Sequence, residues 1–261
     1  MKKNNIHNIP YYLQVINYSK IINKNFILKN FYTNNYNKIL QIIDKNFDKN
    51  KDIQVVEIGC GPSFLKDVYP NTLCTDIEKH DNCDLVVDAL NMKFKEESVD
   101  IFFLHNVFHH IPDVEKFLND AKKALKKGGL IYIIDPHKSF FSEIIYKYFH
   151  HEKFDTLSTW KFKSEDPQLD SNQALAWIVF ERDLDLFKIK FKNLEIIEKN
   201  YFSFLTYIVS GGLNYNLKIP LFFFKISIIF EKIFKPLMRK YLGLFCEILI
   251  ICSSLFTTCS S

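Results

Sequence analysis

The chain reads as three stretches of different periodicity. Residues 11–43 place apolar side chains at helical spacing (Tyr12, Val15 and Ile16, then Ile21 and Ile22, then Ile39, Ile42 and Ile43), separated by Asn-rich turns, which predicts two or three helices. From Lys51 the texture changes to short β-branched runs. Ile53–Ile58 is one, ending in Gly59-Cys60-Gly61-Pro62, and reads as a buried strand, a tight loop and a helix started by Pro62. Further runs follow at 72–75, 85–87, 99–104 and 130–134. Between the last two, residues 113–127 carry Val114, Phe117, Leu118, Ala121 and Leu125 on one helical face, with Gly128-Gly129 as the closing signal. Strand, loop and helix in alternation predict a parallel α/β sheet with helices on both faces. After Asp135-Pro136 the pattern loosens into a helix at 138–149, a loop at 150–175, apolar segments at 194–204 and 242–252, and an aromatic, Lys-bearing helix near 220–240.

Composition narrows the functional classes. The 261 residues are 48% hydrophobic, enough for a substantial core, and carry 34 Lys and Arg against 30 Asp and Glu, a net +4. So small an excess, with Arg182 and Arg239 the only arginines, argues against nucleic acid as a partner. The six cysteines form no Cys-x-x-Cys pair, so neither a zinc site nor a disulfide framework is expected, and a reducing cytoplasm fits. No apolar leader follows Lys2 and Lys3, and no apolar run reaches the ~18–20 residues that span a bilayer.

The candidate chemistry sits where strands end. Gly59 and Gly61 allow a sharp turn and close backbone approach to a ligand, and the following helix offers unpaired N–H groups. A dinucleotide loop wants a third glycine where Phe64 stands, and no Tyr-x-x-x-Lys pair accompanies it, so an NAD-dependent oxidoreductase is disfavoured. Glu57, directly before the glycines, suits an ammonium group better than a phosphate. Asp76, with Glu78 in reserve, ends the second strand where a ribose diol can be bound. Asp88 and Ala89 end the third, placed for an adenine amine and its ring, and Asn106, His109 and His110 follow the fourth on the polar lip where open α/β sheets bind ligands. His109 and His110 are the candidate bases, and the histidines are not expected to hold a metal, since no carboxylate or cysteine lies at ligand spacing in the chain.

Taken together, Val55-Val-Glu57-Ile-Gly59-Cys60-Gly61, Asp76, Val87-Asp88-Ala89, Asn106-Val-Phe-His109-His110-Ile-Pro-Asp113 and Leu125-Lys-Lys-Gly-Gly-Leu130 resemble the class I S-adenosylmethionine-dependent methyltransferases, in particular the small-molecule branch called type 11, over roughly residues 52–136. The resemblance implies a Rossmann-like, seven-stranded, mostly parallel sheet whose last strand is antiparallel and inserted beside the fifth, with 194–204 as strand six and 242–252 as strand seven. It implies S-adenosylmethionine as cofactor, held by Glu57, Gly59, Cys60, Gly61, Asp76, Ile77, Asp88, Ala89 and Asn106. Ser63 stands where the family often has glycine, so that either the loop is slightly tighter or Ser63 caps the helix, with cofactor binding expected to survive. The organisation expected is a helical segment at 1–50 and a methyltransferase domain at 51–261. Within that domain 51–136 is the cofactor-binding core, 137–240 the acceptor side and 241–261 the last strand and tail.

The expected acceptor is a small molecule or a saccharide- or lipid-linked intermediate. A cofactor-binding scaffold or regulator without transferase activity is the second reading. The helix at 220–240, with Lys225, Lys232, Lys235 and Arg239 on one side, reads first as a cover for the sheet and second as a peripheral membrane contact, which would put the protein at the inner face of a membrane. Arg182 is a further candidate for acceptor binding, and His137, His150 and His151 lie near where an acceptor could enter.

Overall fold

The computed structural model describes residues 9–48, 51–150, 152–166, 170–213 and 219–253. Helices α1 (Tyr11–Lys24) and α2 (Phe26–Asn46) come first; the Asn25 side chain caps α2 by accepting from Leu28 N at 3.0 Å. The α/β part then runs β1 (Val55–Ile58), α3 (Leu65–Val68), β2 (Thr72–Asp76), β3 (Leu85–Val86), β4 (Val99–His105), α4 (Val114–Ala124), β5 (Leu125–Pro136), α5 (Phe140–Phe149), α6 (Leu175–Trp177), α7 (Leu184–Lys190), β6 (Leu194–Phe202), α8 (Leu205–Ser210), α9 (Leu221–Ile233) and β7 (Phe245–Cys252).

The strands form one seven-stranded sheet in the order β3-β2-β1-β4-β5-β7-β6. The pairs from β3 to β5 are parallel, and β7 lies antiparallel between β5 and β6. Alternating side chains feed two cores. Val56, Ile58, Phe102, Leu104, Ile131 and Ile133 point to the side covered by α4, α7 and the segment around Phe180. Val55, Ile101, Phe103, Leu130 and Tyr132 point to the side where α2 contributes Leu28, Phe31, Tyr36 and Ile39. The N-terminal helices are therefore a layer of the same sandwich.

Several local expectations are corrected. The helix after β1 starts at Leu65, three residues beyond Pro62, because Gly59 (φ +67°) and Gly61 (φ +46°) first carry the chain through a turn; Ser63 Oγ accepts from Leu65 N at 3.0 Å within that turn. Gly128-Gly129 does not close α4, which ends at Ala124. Leu125 pairs with Val99 and Leu130 with Ile101, so the glycines form a bulge that enters β5, with Gly128 at φ +76°. The helix over 221–233 does not cover the sheet. That face is already filled by α2 and α8, whose Phe31 and Tyr207 meet Phe245 at ring distances of 5.4 and 4.8 Å, so α9 packs one layer out, on α8. Among the described residues no helix is long and apolar enough to cross a membrane. Five cysteines are buried and free; Cys259 and His151 lie outside the described residues.

Candidate active site

At the carboxyl ends of β1 to β5 a cavity of about 790 Å³ opens. All eleven residues expected at the site line it: Glu57, Gly59, Cys60, Gly61, Asp76, Ile77, Asp88, Ala89, Asn106, His109 and His110. The topology explains the convergence, since parallel strands present their ends on one edge and the chain leaves each through a loop.

At the β1–β3 end, the glycine turn and Asp76 are bonded to each other. Asp76 Oδ2 accepts from Gly61 N at 2.8 Å and from the Tyr11 hydroxyl at 3.1 Å, and His80 Nε2 lies at 3.1 Å from it; Oδ1 accepts from Ile77 N at 2.7 Å. The carboxylate is thus held in place by the loop it faces, and α1 roofs it through Tyr11. Burial and that carboxylate push the Tyr11 phenol well above its ordinary range. Glu57 is buried, which raises its pKa well above the carboxylate norm, with Cys74 and Asp76 adding to the burial effect and Ser63 opposing. Asp88 is exposed at the rim, where Oδ1 accepts from Leu90 N at 2.8 Å. Asn106 adopts φ +58°, and its Oδ1 is buried without a hydrogen-bond partner among the described residues. A buried, unpartnered acceptor atom on a cavity-lining residue, two glycines in a left-handed turn and a set of carboxylates suit a cationic adenosyl compound.

Across the cavity the structure assembles a group that the sequence signals only in part. His109 is buried, with Nδ1 2.9 Å from Asp135 Oδ1 and Nε2 3.2 Å from Glu152 Oε2. Burial alone would lower its pKa, but Asp135 and then Glu152 outweigh it and raise the value to about 10. Glu152 is held well below the carboxylate range: His109, His110 and His150 overcome the burial that would raise it. Burial pushes Asp135 up, tempered by His109. His110 stacks on His109 with ring centroids 4.3 Å apart, its Nε2 3.9 Å from Glu152. His109 thus has both ring nitrogens facing carboxylates, an arrangement that favours its protonated form.

The chain offers no carboxylate at ligand spacing from the histidines, but the fold supplies one: the loop after α5 brings Glu152 beside both. His109, His110 and Glu152, and separately Cys60, Asp76 and His80, are groupings able to hold a metal ion. In the first, His109 itself supplies the positive charge between the two acids.

Sequence reasoning missed Asp135, Glu152 and a wall of aromatics: Tyr11, Tyr18, Tyr32, Tyr36, Tyr146 and Tyr207 all line the cavity. Asp135, directly behind His109 at the end of β5, was findable from its strand-tip position; Glu152, in a loop, carried no such signal. His105, also in the wall, is depressed to about 3 by burial and by Lys38. His150 lines the cavity, whereas His137 is outside the wall, its Nε2 2.8 Å from Arg239 O. Arg182 is outside as well. It clasps Asp183 at 2.8 and 2.7 Å and donates to Thr156 O and Ser158 O at 2.6 and 3.0 Å, a clamp on the loop before α6. Among the described residues neither lysine nor arginine lines the cavity.

Residues 56–133 match a protein family described as a methyltransferase domain. The chain is 29% identical over 139 residues to an uncharacterized protein of Methanocaldococcus jannaschii, covering 48% of this chain and 60% of that one. It is 36% identical over 73 residues to phosphoethanolamine N-methyltransferase 2 of Caenorhabditis elegans, covering 26% of this chain and 17% of that one. The matched stretches thus span less than two thirds of either relative. Among solved structures, a SAM-dependent methyltransferase from Archaeoglobus fulgidus aligns with 82% of this chain and 92% of its own, at a TM-score of 0.49 and 15% identity.

Proposed function

We propose that the chain, whose residues 56–133 match a methyltransferase domain, is a class I, S-adenosylmethionine-dependent methyltransferase and methylates a small neutral or amine-bearing acceptor seated beside His109 and Glu152. The observation that carries this reading is the charge of the cavity wall. It has Asp76 and Asp88 at one end beside the buried Glu57, Glu152 at the other, aromatic rings between, and, among the described residues, no lysine or arginine. A sulfonium or ammonium compound is favoured there, whereas a phosphate or free carboxylate would be desolvated among like charges, with the His109 ring already engaged by Asp135 and Glu152. A saccharide- or lipid-linked acceptor fits only with any anionic portion outside.

When bound, the cofactor supplies an activated methyl group on its sulfonium centre. The chain's task is to bind and align. Asp76 and Asp88 are the acceptors for ribose and adenine donors, Gly59 and Gly61 let the backbone come close, and Asn106 Oδ1 and Glu57 face the cationic portion. With its proton held to about pH 10, His109 donates rather than accepts, and Glu152 is too weakly basic to deprotonate an alcohol at neutral pH. That pair suits an acceptor whose nucleophilic atom already carries a lone pair, positioned by a hydrogen bond to the carboxylate.

Calorimetric titration with S-adenosylhomocysteine tests the first half of the proposal; no binding at millimolar ligand rejects it. Incubation with labelled methyl donor and an extract of small molecules or lipids tests the second. A labelled amine or neutral product supports the reading, a phosphorylated acceptor buried in the cavity contradicts it, and binding without any product favours a scaffold or regulator.

A further inference from the structure

The outermost helix has its polarity inverted. α9 turns Phe224 and Ser227 inward, and Glu231 with them. Diametrically opposite runs a stripe of Phe222, Ile226, Ile229 and Ile233 at i, i+4, i+7 and i+11, exposed by 66, 44, 58 and 67%. A helix on a water-facing surface carries charge at that pole; this one carries hydrocarbon, and with Leu221, Phe223, Phe234 and Leu237 also exposed the patch is continuous.

Charge along the same segment has one sign. Lys225 and Lys232 flank the stripe, and Lys235, Arg239 and Lys240 continue it beyond the helix, all exposed. Lys225, Lys232 and Lys235 have no carboxylate partner among the described residues; Arg239 bonds Glu181 at 2.6 Å. The one acid of the helix, Glu231, is used internally: its Oε1 accepts from Phe204 N at 2.7 Å, Thr206 N at 2.8 Å and Thr206 Oγ1 at 2.7 Å, fixing the start of α8. Phe204 meets Phe141 of α5 with ring centroids 5.7 Å apart, and Phe149 of α5 and Ile208 of α8 are both exposed and part of the cavity wall.

We propose that α9 and the turn after it seat the protein on a bilayer surface bearing anionic headgroups, the apolar stripe entering the interface and the cations meeting the headgroups. Charge complementarity selects this occupant. A second copy docked on the stripe with its helix antiparallel across a two-fold axis would bring flanking Lys225 and Lys232 against like charge, whereas an anionic leaflet answers each of them. The proposal is independent of methyl transfer, since vesicle binding needs neither cofactor nor acceptor.

Flotation of the full chain with vesicles of phosphatidylcholine, with and without phosphatidylglycerol, is the test. Binding is expected to the anionic vesicles and to weaken with salt. Each charge removed in the series Lys225→Gln, Lys232→Gln and Lys235→Gln should weaken it about fivefold, and Phe222→Ser with Ile229→Ser should abolish it. These side chains are exposed, so the unfolding midpoint serves as the folding control. Absence of binding to anionic vesicles, or binding that the serine pair leaves intact, overturns the proposal. A dimer in solution that the serine pair dissociates, without vesicle binding, assigns the face to a second copy instead.

Discussion

Gly59 and Gly61 both sit in the left-handed region, yet adding a methyl group at each should fail for different reasons. At Gly59, φ is +67°, and a Cβ would stand 2.7 and 2.8 Å from the two methyl carbons of Val107. The left-handed backbone costs an L-residue roughly 1–2 kcal/mol and the overpacking roughly 1–3 more, so Gly59→Ala should destabilise by about 2–5 kcal/mol. At Gly61, φ is +46° and the nearest atom is the Tyr11 hydroxyl at 3.7 Å, so only the backbone share, about 1–2 kcal/mol, applies. That second methyl group would project into the space between the glycine turn and α1, and S-adenosylhomocysteine affinity should fall by about tenfold or more, ~1.4 kcal/mol. Urea unfolding and calorimetric titration measure the two losses. Val107→Ala combined with Gly59→Ala should recover the steric share and leave the backbone share. If Gly59→Ala proves no more destabilising than Gly61→Ala, or the Val107 substitution recovers nothing, the division of labour within the turn is wrong.

The remaining expectations concern the carboxylate-bearing residues and the loop clamp. The folded-state pKa of His109, about 10, lies above its ordinary 6.5, so its contribution to stability is fully present below pH 6.5 and is lost as the pH rises through 10; unfolding midpoints across that window should decline. His109→Gln should cost about 3–5 kcal/mol, because Asp135 and Glu152 lose the cation between them, and should flatten the decline, while an unchanged pH profile would show that the imidazole carries no extra proton. Tyr11→Phe releases a lone pair of Asp76 and should tighten S-adenosylhomocysteine binding severalfold; weaker binding would make the hydroxyl itself a ligand contact. Arg182→Ala should lower stability by about 1 kcal/mol and leave cofactor affinity unchanged, an outcome that a loss of affinity at full stability would contradict.

Strand tips were the most legible part of the chain. An apolar run that stops at glycine or an acid marks both the strand and the edge on which it ends, which is why Glu57, Asp76, Asp88, Asn106 and His109 could be gathered at one site before any fold was visible. Glu152 could not, because it approaches His109 across 43 positions of chain and through a loop with no periodicity. Nor could the exposure of α9: Phe222, Ile226, Ile229 and Ile233 form the same stripe whether it meets a sheet or solvent, and only the prior filling of that sheet face by α2 and α8 decides between them. The Gly128-Gly129 pair was misread for a related reason, since a glycine pair after a helical run signals a cap or a bulge equally well.

The placement of β7 has a consequence for how the molecule is assembled. Its Cys246 meets the β5 backbone at Asp135, 111 positions earlier, and among the described residues β6 pairs only with β7. Until β7 arrives, β6 has no neighbour and β5 presents a long row of unmet amides and carbonyls, a template to which a stray strand can add. So distant a pairing is slow to form, and the interval before it closes is when a newly made chain most needs protection from its own kind.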